Sequence, residues 1–280
     1  MRFTAGEARP AFRGRSGVRH GATVRESDVP ANVEESIARL AAVLRESRRL
    51  TVLTGAGVSA ASGVPTFRGS GGLWRSYDPM TLATPQAFAK DPALVWEWYD
   101  WRRQMIAAAQ PNSAHHAIAE WSRTRQGFTL ITQNVDGLHE RAGTEGILRL
   151  HGSIWEVRCT GTCRSGPRID ERAPLPASDL PPRCDACGAL LRPGVVWFGE
   201  SLDPAIVAAA ARATEACDLF ITIGTSAAVY PAAGFIHEAR ANGATVAEIN
   251  PDATDASDIV DISIRGKAEE VLTTLCAWQP

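Results

Sequence analysis

The segment from residue 51 to residue 69, TVLTGAGVSAASGVPTFRG, places the strongest constraint on how this chain of 280 residues can fold. Residues 51–54 are apolar or β-branched and predict a buried strand, and residues 58–61 predict the first turn of a helix. Between them, Gly55 and Gly57 permit a tight turn with close backbone approach. A strand that leads through such a turn into a helix N-terminus can present N–H groups to a pyrophosphate. The turn alone is more typical of an ordinary strand–helix connection than of nucleotide binding. The polar loop that follows at residues 66–69, TFRG, carries an aromatic ring and a positive charge beside the turn and favours nucleotide binding.

Predicted strands and helices alternate along the rest of the chain in the manner of a parallel α/β sheet. The hydrophobic pattern indicates strands at residues 51–54, 128–132, 147–150, 195–198, 219–223, 245–249 and 259–264. It indicates helices at residues 32–47, 85–90, 92–108, 113–125, 204–216, 231–241 and 267–277. Ligand-contacting side chains of an open α/β sheet lie at the carboxyl ends of its strands, so we expect the functional site there.

Composition and charge narrow the class of protein. The chain is long enough for a large core in one catalytic domain, and no uninterrupted apolar run approaches the about 18 residues of a membrane span. The net charge of −2 gives no reason to expect nucleic acid as a partner. Residues 1–30 hold six arginines and three acids without apolar periodicity, which predicts a disordered tail. Because no apolar secretory segment is recognised, we expect a cytoplasmic protein. We also expect a monomer and no membrane partner, although the sequence does not fix the oligomeric state.

Four of the six cysteines cluster in a pattern typical of a zinc ribbon. Cys159 and Cys163 form the first pair, and Cys184 and Cys187 form the second pair after 20 intervening residues. Four thiolates can complete a tetrahedral shell around one Zn²⁺ ion, which leaves no open position for a substrate. The spacing therefore predicts one structural zinc ion, with four unrelated free thiols as the alternative.

Several motifs along the chain resemble, in the same order, those of the sirtuins, which are NAD-dependent protein deacylases. They are the segment at residues 51–69, TQNVDGLH at 132–139, HGS at 151–153, the cysteine quartet, GTS at 224–226 and INP at 249–251. The resemblance covers roughly residues 35–275. With the predicted elements, it implies an α/β fold in which a Rossmann-like parallel-sheet lobe is joined to a smaller helical and zinc-ribbon lobe.

The expected catalytic domain spans residues 31–280 and consists of three parts. The Rossmann-like lobe takes residues 31–61, 127–152 and 198–280, the helical insertion takes residues 62–126, and the zinc module takes residues 153–197. A cleft between two lobes is the natural place for a binding site.

The resemblance also implies which residues bind NAD and which residue acts in the reaction. NAD is expected to contact Gly55, Ala56, Gly57, Ser59, Thr66, Phe67, Arg68, Gln133, Asn134, Asp136, Gly224, Thr225, Ser226, Asn250 and Ala268. Asn134 and Asp136 would contact the nicotinamide ribose and carboxamide. His151 would be the general base, a role that suits histidine at neutral pH. Taken alone, polar residues after a strand are more often turn-formers, and a lone histidine is more often structural.

Tyr99 and Arg102 are three residues apart and therefore share one face of the helix predicted at residues 92–108. The spacing alone favours an amphipathic helix with a packed tyrosine and a solvated arginine. One sirtuin branch, which includes the mitochondrial desuccinylase-demalonylase, is similar here, and a phenol and a guanidinium together bind a carboxylate well. Ala83 fits the same branch, because a small side chain leaves room for a longer acyl chain.

The resemblance implies transfer of an acyl group from a modified lysine to ADP-ribose, with NAD as the co-substrate. The products would be free lysine, nicotinamide and O-acyl-ADP-ribose. Acyl-lysine proteins or peptides are the expected partners, and their backbone would pair as an added strand with Val196, Trp197, Phe198 and Gly199. We expect a desuccinylase or demalonylase with weaker deacetylase activity. The alternatives are an enzyme that is mainly a deacetylase, an ADP-ribosyltransferase, and a non-catalytic module that binds NAD or ADP-ribose.

Overall fold

A six-stranded parallel sheet forms the centre of the protein in the computed structural model, which describes residues 33–65, 78–163 and 166–278. In chain order the strands are β1 (Leu50–Thr54), β2 (Phe128–Thr132), β3 (Ile147–Arg149), β4 (Gly152–Cys159), β5 (Arg168–Ile169), β6 (Leu191–Val195), β7 (Leu219–Ile223), β8 (Thr245–Asn250) and β9 (Ile262–Arg265). The central sheet has the order β3-β2-β1-β7-β8-β9, with all neighbours parallel. The strand order reverses between β1 and β7, so a ligand-binding crevice opens at their carboxyl ends.

Helices cover both faces of the central sheet. They are α1 (Val33–Glu46), α2 (Pro79–Leu82), α3 (Pro85–Lys90), α4 (Pro92–Ala108), α5 (Ser113–Thr124), α6 (Leu138–Arg141), α7 (Pro204–Ala216), α8 (Ala232–Ala241) and α9 (Ala268–Ala277). Helices α1, α5 and α9 pack on the face that includes Val52, and α7 and α8 pack on the face that includes Leu53. Because strands buried on both faces need apolar residues at successive positions, the runs in β1 and β7 are continuous rather than alternating.

A second sheet has three antiparallel strands in the order β5-β4-β6. The strand expected at residues 195–198 is wrong, because the strand in this region is β6, which ends at Val195. The sequence of β6, LRPGV, does not predict a strand, because proline and glycine are uncommon inside strands. A Cβ on Gly194 would lie 2.5 Å from the Cβ of Glu156, so the approach of β4 requires a glycine at this position.

One face of α4 is fastened to this small sheet. Trp96 donates its indole N–H to the carbonyl oxygen of Leu191 in β6, at 2.7 Å. Two turns later, Arg103 donates through Nε to the carbonyl oxygen of Ile154 in β4, at 2.8 Å. Residues 96, 99 and 103 share one face of a helix, so these two bonds also fix the orientation of Tyr99 between them.

The α/β fold class expected from the sequence is confirmed, and the other predicted strands and helices are found with ends that differ by a few residues. The turn expected at residues 58–61 belongs to a 3-10 helix, Ala56–Ser62, and the last strand begins at Ile262 rather than at residue 259. Residues 1–30 and the predicted NAD contacts Thr66, Phe67 and Arg68 lie outside the described residues. The boundaries of the expected lobes stay a prediction. None of the helices in the described ranges has the length and apolar character needed to cross a membrane.

Candidate active site

The glycine turn after β1 packs directly against a second turn, at residues 224–226 after β7. Gly55 donates its N–H to the carbonyl oxygen of Ile223 at 3.0 Å, and Gly57 donates to that of Gly224 at 2.8 Å. A Cβ on Gly57 would lie 2.7 Å from the Cα of Gly224. Glycine is therefore needed for the contact between the two turns, and these two N–H groups are engaged within the protein rather than directed at a phosphate. Ala56, between them, is half-buried.

Gln133 and Asn134 follow β2 directly, and their side chains form hydrogen bonds with these two turns. The Gln133 amide donates through Nε2 to Thr225 Oγ1 at 2.9 Å. The Asn134 amide donates through Nδ2 to the carbonyl oxygen of Gly55 at 3.1 Å. Both residues thus lie at the crevice, where the sequence predicted them.

A buried hydrogen bond joins two further predicted NAD contacts. The hydroxyl group of Ser59 donates to Oδ2 of Asp136 at 2.8 Å, and the backbone N–H of Leu138 donates to Oδ1 at 2.9 Å. Burial raises the pKa of the Asp136 carboxyl group, while these two bonds and the charge of Arg102 lower it in part. Asp136 is therefore held in a fixed orientation at the end of β2.

The remaining predicted NAD contacts lie at the carboxyl ends of the strands on the other side of the crevice. The Asn250 amide at the end of β8 donates through Nδ2 to the carbonyl oxygen of Thr225 at 2.8 Å. The backbone N–H of Gly266, after β9, lies 3.3 Å from the carbonyl oxygen of Asn250. Ala268 is buried and begins α9, and Ser226 is half-buried in the turn after β7.

His151 lies after β3 and is oriented by the backbone of β2. Its Nδ1 is 3.0 Å from the carbonyl oxygen of Gln133. Because a carbonyl oxygen can only accept a hydrogen bond, Nδ1 carries the proton and Nε2 is the basic nitrogen. Burial lowers the pKa of the imidazole, and the bond to Gln133 raises it in part. His151 is therefore neutral at pH 7 and able to accept a proton through Nε2.

Two buried histidines, for which the sequence predicts no role, lie behind these residues. The ring centroids of His115 and His139 are 4.9 Å apart. His115 Nδ1 accepts the N–H of Asn112 at 3.3 Å, and its Nε2 lies 3.4 Å from Ser59 Oγ. His139 Nε2 lies 3.1 Å from Thr54 Oγ1. The sequence could have pointed to His139, because it belongs to the TQNVDGLH motif. His115 lies in α5, outside every motif, and has no such local signal.

The buried histidines should make the protein less stable as the pH falls from about 6.5 towards 4. The pKa of an unfolded histidine is about 6.5, whereas burial lowers the pKa of His115 to about 4. Between these values the unfolded chain binds a proton that the folded chain does not. The free energy of unfolding therefore decreases as the pH is lowered. For His115 the loss at pH 4 is about 3 kcal/mol.

Urea unfolding measured between pH 7.5 and pH 4.5 checks this expectation. His115→Gln should flatten the dependence of the free energy of unfolding on pH. The control His237→Gln, at an exposed position on α8, should leave it as in the parent. A dependence that is equally steep in both variants would contradict the assignment to His115.

Tyr99 is enclosed by tryptophans on α4 and after β6. Its ring packs edge-on against that of Trp98, with centroids 4.6 Å apart. The indole N–H of Trp197 donates to Tyr99 Oη at 2.9 Å. Burial raises the pKa of Tyr99 to about 12, so the phenol keeps its proton at neutral pH. The Arg102 guanidinium lies 5.1 Å from the centroid of the Trp98 ring.

Arg102 interacts electrostatically with Asp136, one of the predicted NAD contacts. Burial lowers the pKa of Arg102, and the Tyr99 phenol and the Asp136 carboxylate raise it in part. Arg102 in turn lowers the pKa of Asp136. The side chain predicted to bind the acyl group is therefore close enough to interact with the side chain predicted to contact the nicotinamide ribose.

Residues 196–199, predicted to bind the peptide backbone, form a turn after β6. Val196 donates its N–H to the carbonyl oxygen of His151, and Phe198 donates to that of Ala83, both at 2.9 Å. These two N–H groups are therefore engaged within the protein. Ala83 is buried, whereas Phe198 and Gly199 are exposed.

Residues 55–231 match the family model described as the Sir2 family. The chain belongs to the Sir2 family. A relative from Archaeoglobus fulgidus, named NAD-dependent protein deacylase 1, is 51% identical over 237 residues, which are 85% of this chain and 95% of the relative.

Two solved Sir2 structures show the same fold. A complex of a Sir2 homologue with NAD has a TM-score of 0.79 and 50% identity, and the match covers 86% of this chain and 92% of the other. A Sir2–p53 peptide–NAD⁺ complex has a TM-score of 0.75 and 27% identity, covering 86% of this chain and 97% of the other. The expected membership of the sirtuins is confirmed, and the expected enzyme class and NAD co-substrate are confirmed at the level of the family.

The four cysteines of this Sir2 protein have the arrangement that a zinc ion needs. Their sulfur atoms all lie within 4.8 Å of one another, and the distances from Cys159 to Cys163 and Cys187 are 3.3 and 3.5 Å. These separations exceed the about 2.05 Å of a disulfide and are close to the about 3.8 Å between thiolates bound to one tetrahedral Zn²⁺. A Cβ on Gly161 would lie 3.0 Å from the Cys187 sulfur, so the wider first pair depends on this glycine. The quartet fits a structural zinc ion.

Proposed function

We propose that this Sir2 protein is an NAD-dependent protein-lysine deacylase that prefers succinyl and malonyl groups to acetyl groups. NAD would supply the ADP-ribose that accepts the acyl group. The observation that carries the preference is the position of Arg102, whose guanidinium lies 5.1 Å from the centroid of the Trp98 ring that packs against Tyr99. Its charge interacts with the Tyr99 phenol and the Asp136 carboxylate. A cation and a phenol at the place where the acyl group binds would together bind a carboxylate.

The chain's own groups support a deacylase in two ways. His151 is held by Gln133 with Nε2 as the basic nitrogen, as a general base requires. Asn134 and Asp136 are fixed at the end of β2 by bonds to Gly55 and Ser59, and thus are ready to orient the nicotinamide ribose. We propose the turn at residues 196–199, which is exposed at Phe198 and Gly199, as the place where the peptide of an acyl-lysine substrate binds.

The preference for an acidic acyl group predicts a specific effect of Arg102→Met. A charge-assisted pair contributes roughly 1.5–3 kcal/mol, which corresponds to about one to two orders of magnitude in kcat/KM. The variant should therefore lose activity on a succinyl-lysine peptide and retain or gain activity on the acetyl version. Acetyl-lysine has no carboxylate for Arg102 to bind, so the substitution removes no charge-assisted contact from that substrate. Measurement of kcat/KM on both versions of one peptide checks the prediction.

Arg123→Met provides the matched control, because Arg123 is exposed on α5 and paired with Glu120. It should leave both values of kcat/KM unchanged. Equal losses on both substrates in Arg102→Met would assign Arg102 to the fold rather than to the acyl pocket.

The alternatives differ in their products. An ADP-ribosyltransferase would attach ADP-ribose to protein, whereas a deacylase releases O-acyl-ADP-ribose from an acyl-lysine peptide. A non-catalytic NAD-binding module would form neither product, and the orientation of His151 favours an enzyme. An enzyme that is mainly a deacetylase would have the higher kcat/KM on the acetyl peptide.

A further inference from the structure

The hydrogen bond between Trp197 and Tyr99 fixes the direction in which the Tyr99 hydroxyl group can donate. The Trp197 side chain is 3% exposed, and its Nε1–H lies 2.9 Å from Tyr99 Oη. An indole N–H is a donor only, so at this contact the phenol oxygen must accept. The proton of the Tyr99 hydroxyl group is therefore directed away from Trp197.

Trp197 is itself held on two sides. The Arg192 guanidinium lies 3.4 Å from the centroid of its ring, and the Phe88 ring lies 5.3 Å away. Arg192 forms an ion pair with Glu200, and Glu200 Oε2 accepts the backbone N–H of Trp197 at 2.8 Å. Stacking and hydrogen bonding thus prevent the indole from turning its N–H away from the phenol.

We propose, on the basis of the function proposed above, that Trp197 is a specificity-determining positioning residue that acts through Tyr99. An ionised carboxylate can only accept hydrogen bonds. A phenol that could freely rotate would present either its proton or its lone pairs to the acyl group. Because Trp197 occupies the acceptor side, Tyr99 presents its proton, which favours a carboxylate over the methyl group of acetyl-lysine.

A double-mutant cycle tests this coupling. Trp197→Phe removes the N–H and keeps an aromatic ring, and Tyr99→Phe removes the hydroxyl group. The quantity measured is the ratio of kcat/KM on succinyl and acetyl versions of one peptide. Tyr99→Phe should lower the ratio by about tenfold, the effect of one charge-assisted hydrogen bond. Trp197→Phe should lower it by a smaller factor, because the phenol keeps its hydroxyl group and loses only its fixed orientation. The double variant should lower it no further than Tyr99→Phe alone, because Trp197 acts only through the hydroxyl group.

Two outcomes would overturn the proposal: an unchanged ratio in Trp197→Phe, or losses that multiply in the double variant. The cycle stays informative if the parent prefers acetyl-lysine. That result would refute the proposed acyl preference, but the coupling is read from changes in the ratio, whatever its starting value.

A spectroscopic measurement tests the contact without any substrate. The chain has three tyrosines, so ¹⁹F NMR of protein labelled with 3-fluorotyrosine gives few resonances, and Tyr99→Phe assigns one of them. Trp197→Phe should shift the Tyr99 resonance and leave that of Tyr230, which is 71% exposed, in place. An unshifted Tyr99 resonance would overturn the proposal.

Arg192→Lys takes the place of Trp197→Phe if that variant does not fold. It keeps the charge near Glu200 but removes the planar group that stacks on the indole. The Tyr99 resonance should again shift, and the substrate ratio should fall. A change in the ratio smaller than about twofold, with an unshifted resonance, would count against Trp197 as a positioning residue.

Discussion

His151→Ala should lower the rate of deacylation by roughly two to four orders of magnitude, the scale of general-base catalysis. The variant should still bind NAD, because the contacts of Asn134 and Asp136 do not involve the imidazole. Nicotinamide and O-acyl-ADP-ribose released from an acyl-lysine peptide measure the rate, and calorimetry measures NAD binding.

The control for this substitution is His237→Ala, at an exposed histidine on α8. It should retain the parent rate. Near-normal turnover in His151→Ala would remove the residue from the reaction, whereas a joint loss of turnover and NAD binding would indicate a structural role.

Cys184→Ala should abolish zinc binding and unfold the small sheet. Structural zinc contributes on the order of 10–16 kcal/mol in zinc-finger peptides, which matches or exceeds the about 5–15 kcal/mol that stabilises a typical domain. Cys184 is the buried member of the quartet, so its loss also leaves a cavity. Zinc content and thermal unfolding of the purified protein measure the two effects.

Cys276→Ala tests whether any cysteine substitution has this effect. Cys276 lies in α9, is half-buried, and belongs to the core of the large sheet rather than to the quartet. It should leave the zinc content unchanged and lower the melting temperature only slightly. A folded, zinc-free and fully active Cys184→Ala would refute the structural role of the metal.

The sequence predicts the central sheet well because its strands are short apolar runs between turn residues. In β7, all five residues are buried, and the pattern alone locates both ends. It fails at β6, where Pro193 and Gly194 break the pattern. Both residues face β4: Pro193 lies opposite Val157, and Gly194 lets Glu156 approach. Because β4 is distant in the sequence, the local pattern around residues 193 and 194 cannot reveal this pairing.

The same distinction applies to the site. Residues in continuous motifs, such as Asn134 and His151, could be predicted because the motif carries their context. His115 could not, because its partner Ser59 is 56 residues away and no local pattern joins them. The bond from Trp197 to Tyr99 spans 98 residues and is likewise visible only in the fold.

The attachment of α4 to the small sheet has a consequence for how this protein could diversify. Trp96 and Arg103 anchor the helix to β6 and β4, whereas the glycine turns and Asn250 belong to the large sheet. If the proposed function is correct, substrate choice and nucleotide recognition depend on separate parts of the fold, which meet at Arg102 and Asp136. On that proposal, a chimaera that exchanges α4 together with β4 and β6 would change the acyl selectivity and leave the proposed nucleotide site unaltered, whereas exchange of α4 alone would leave the helix without its anchors.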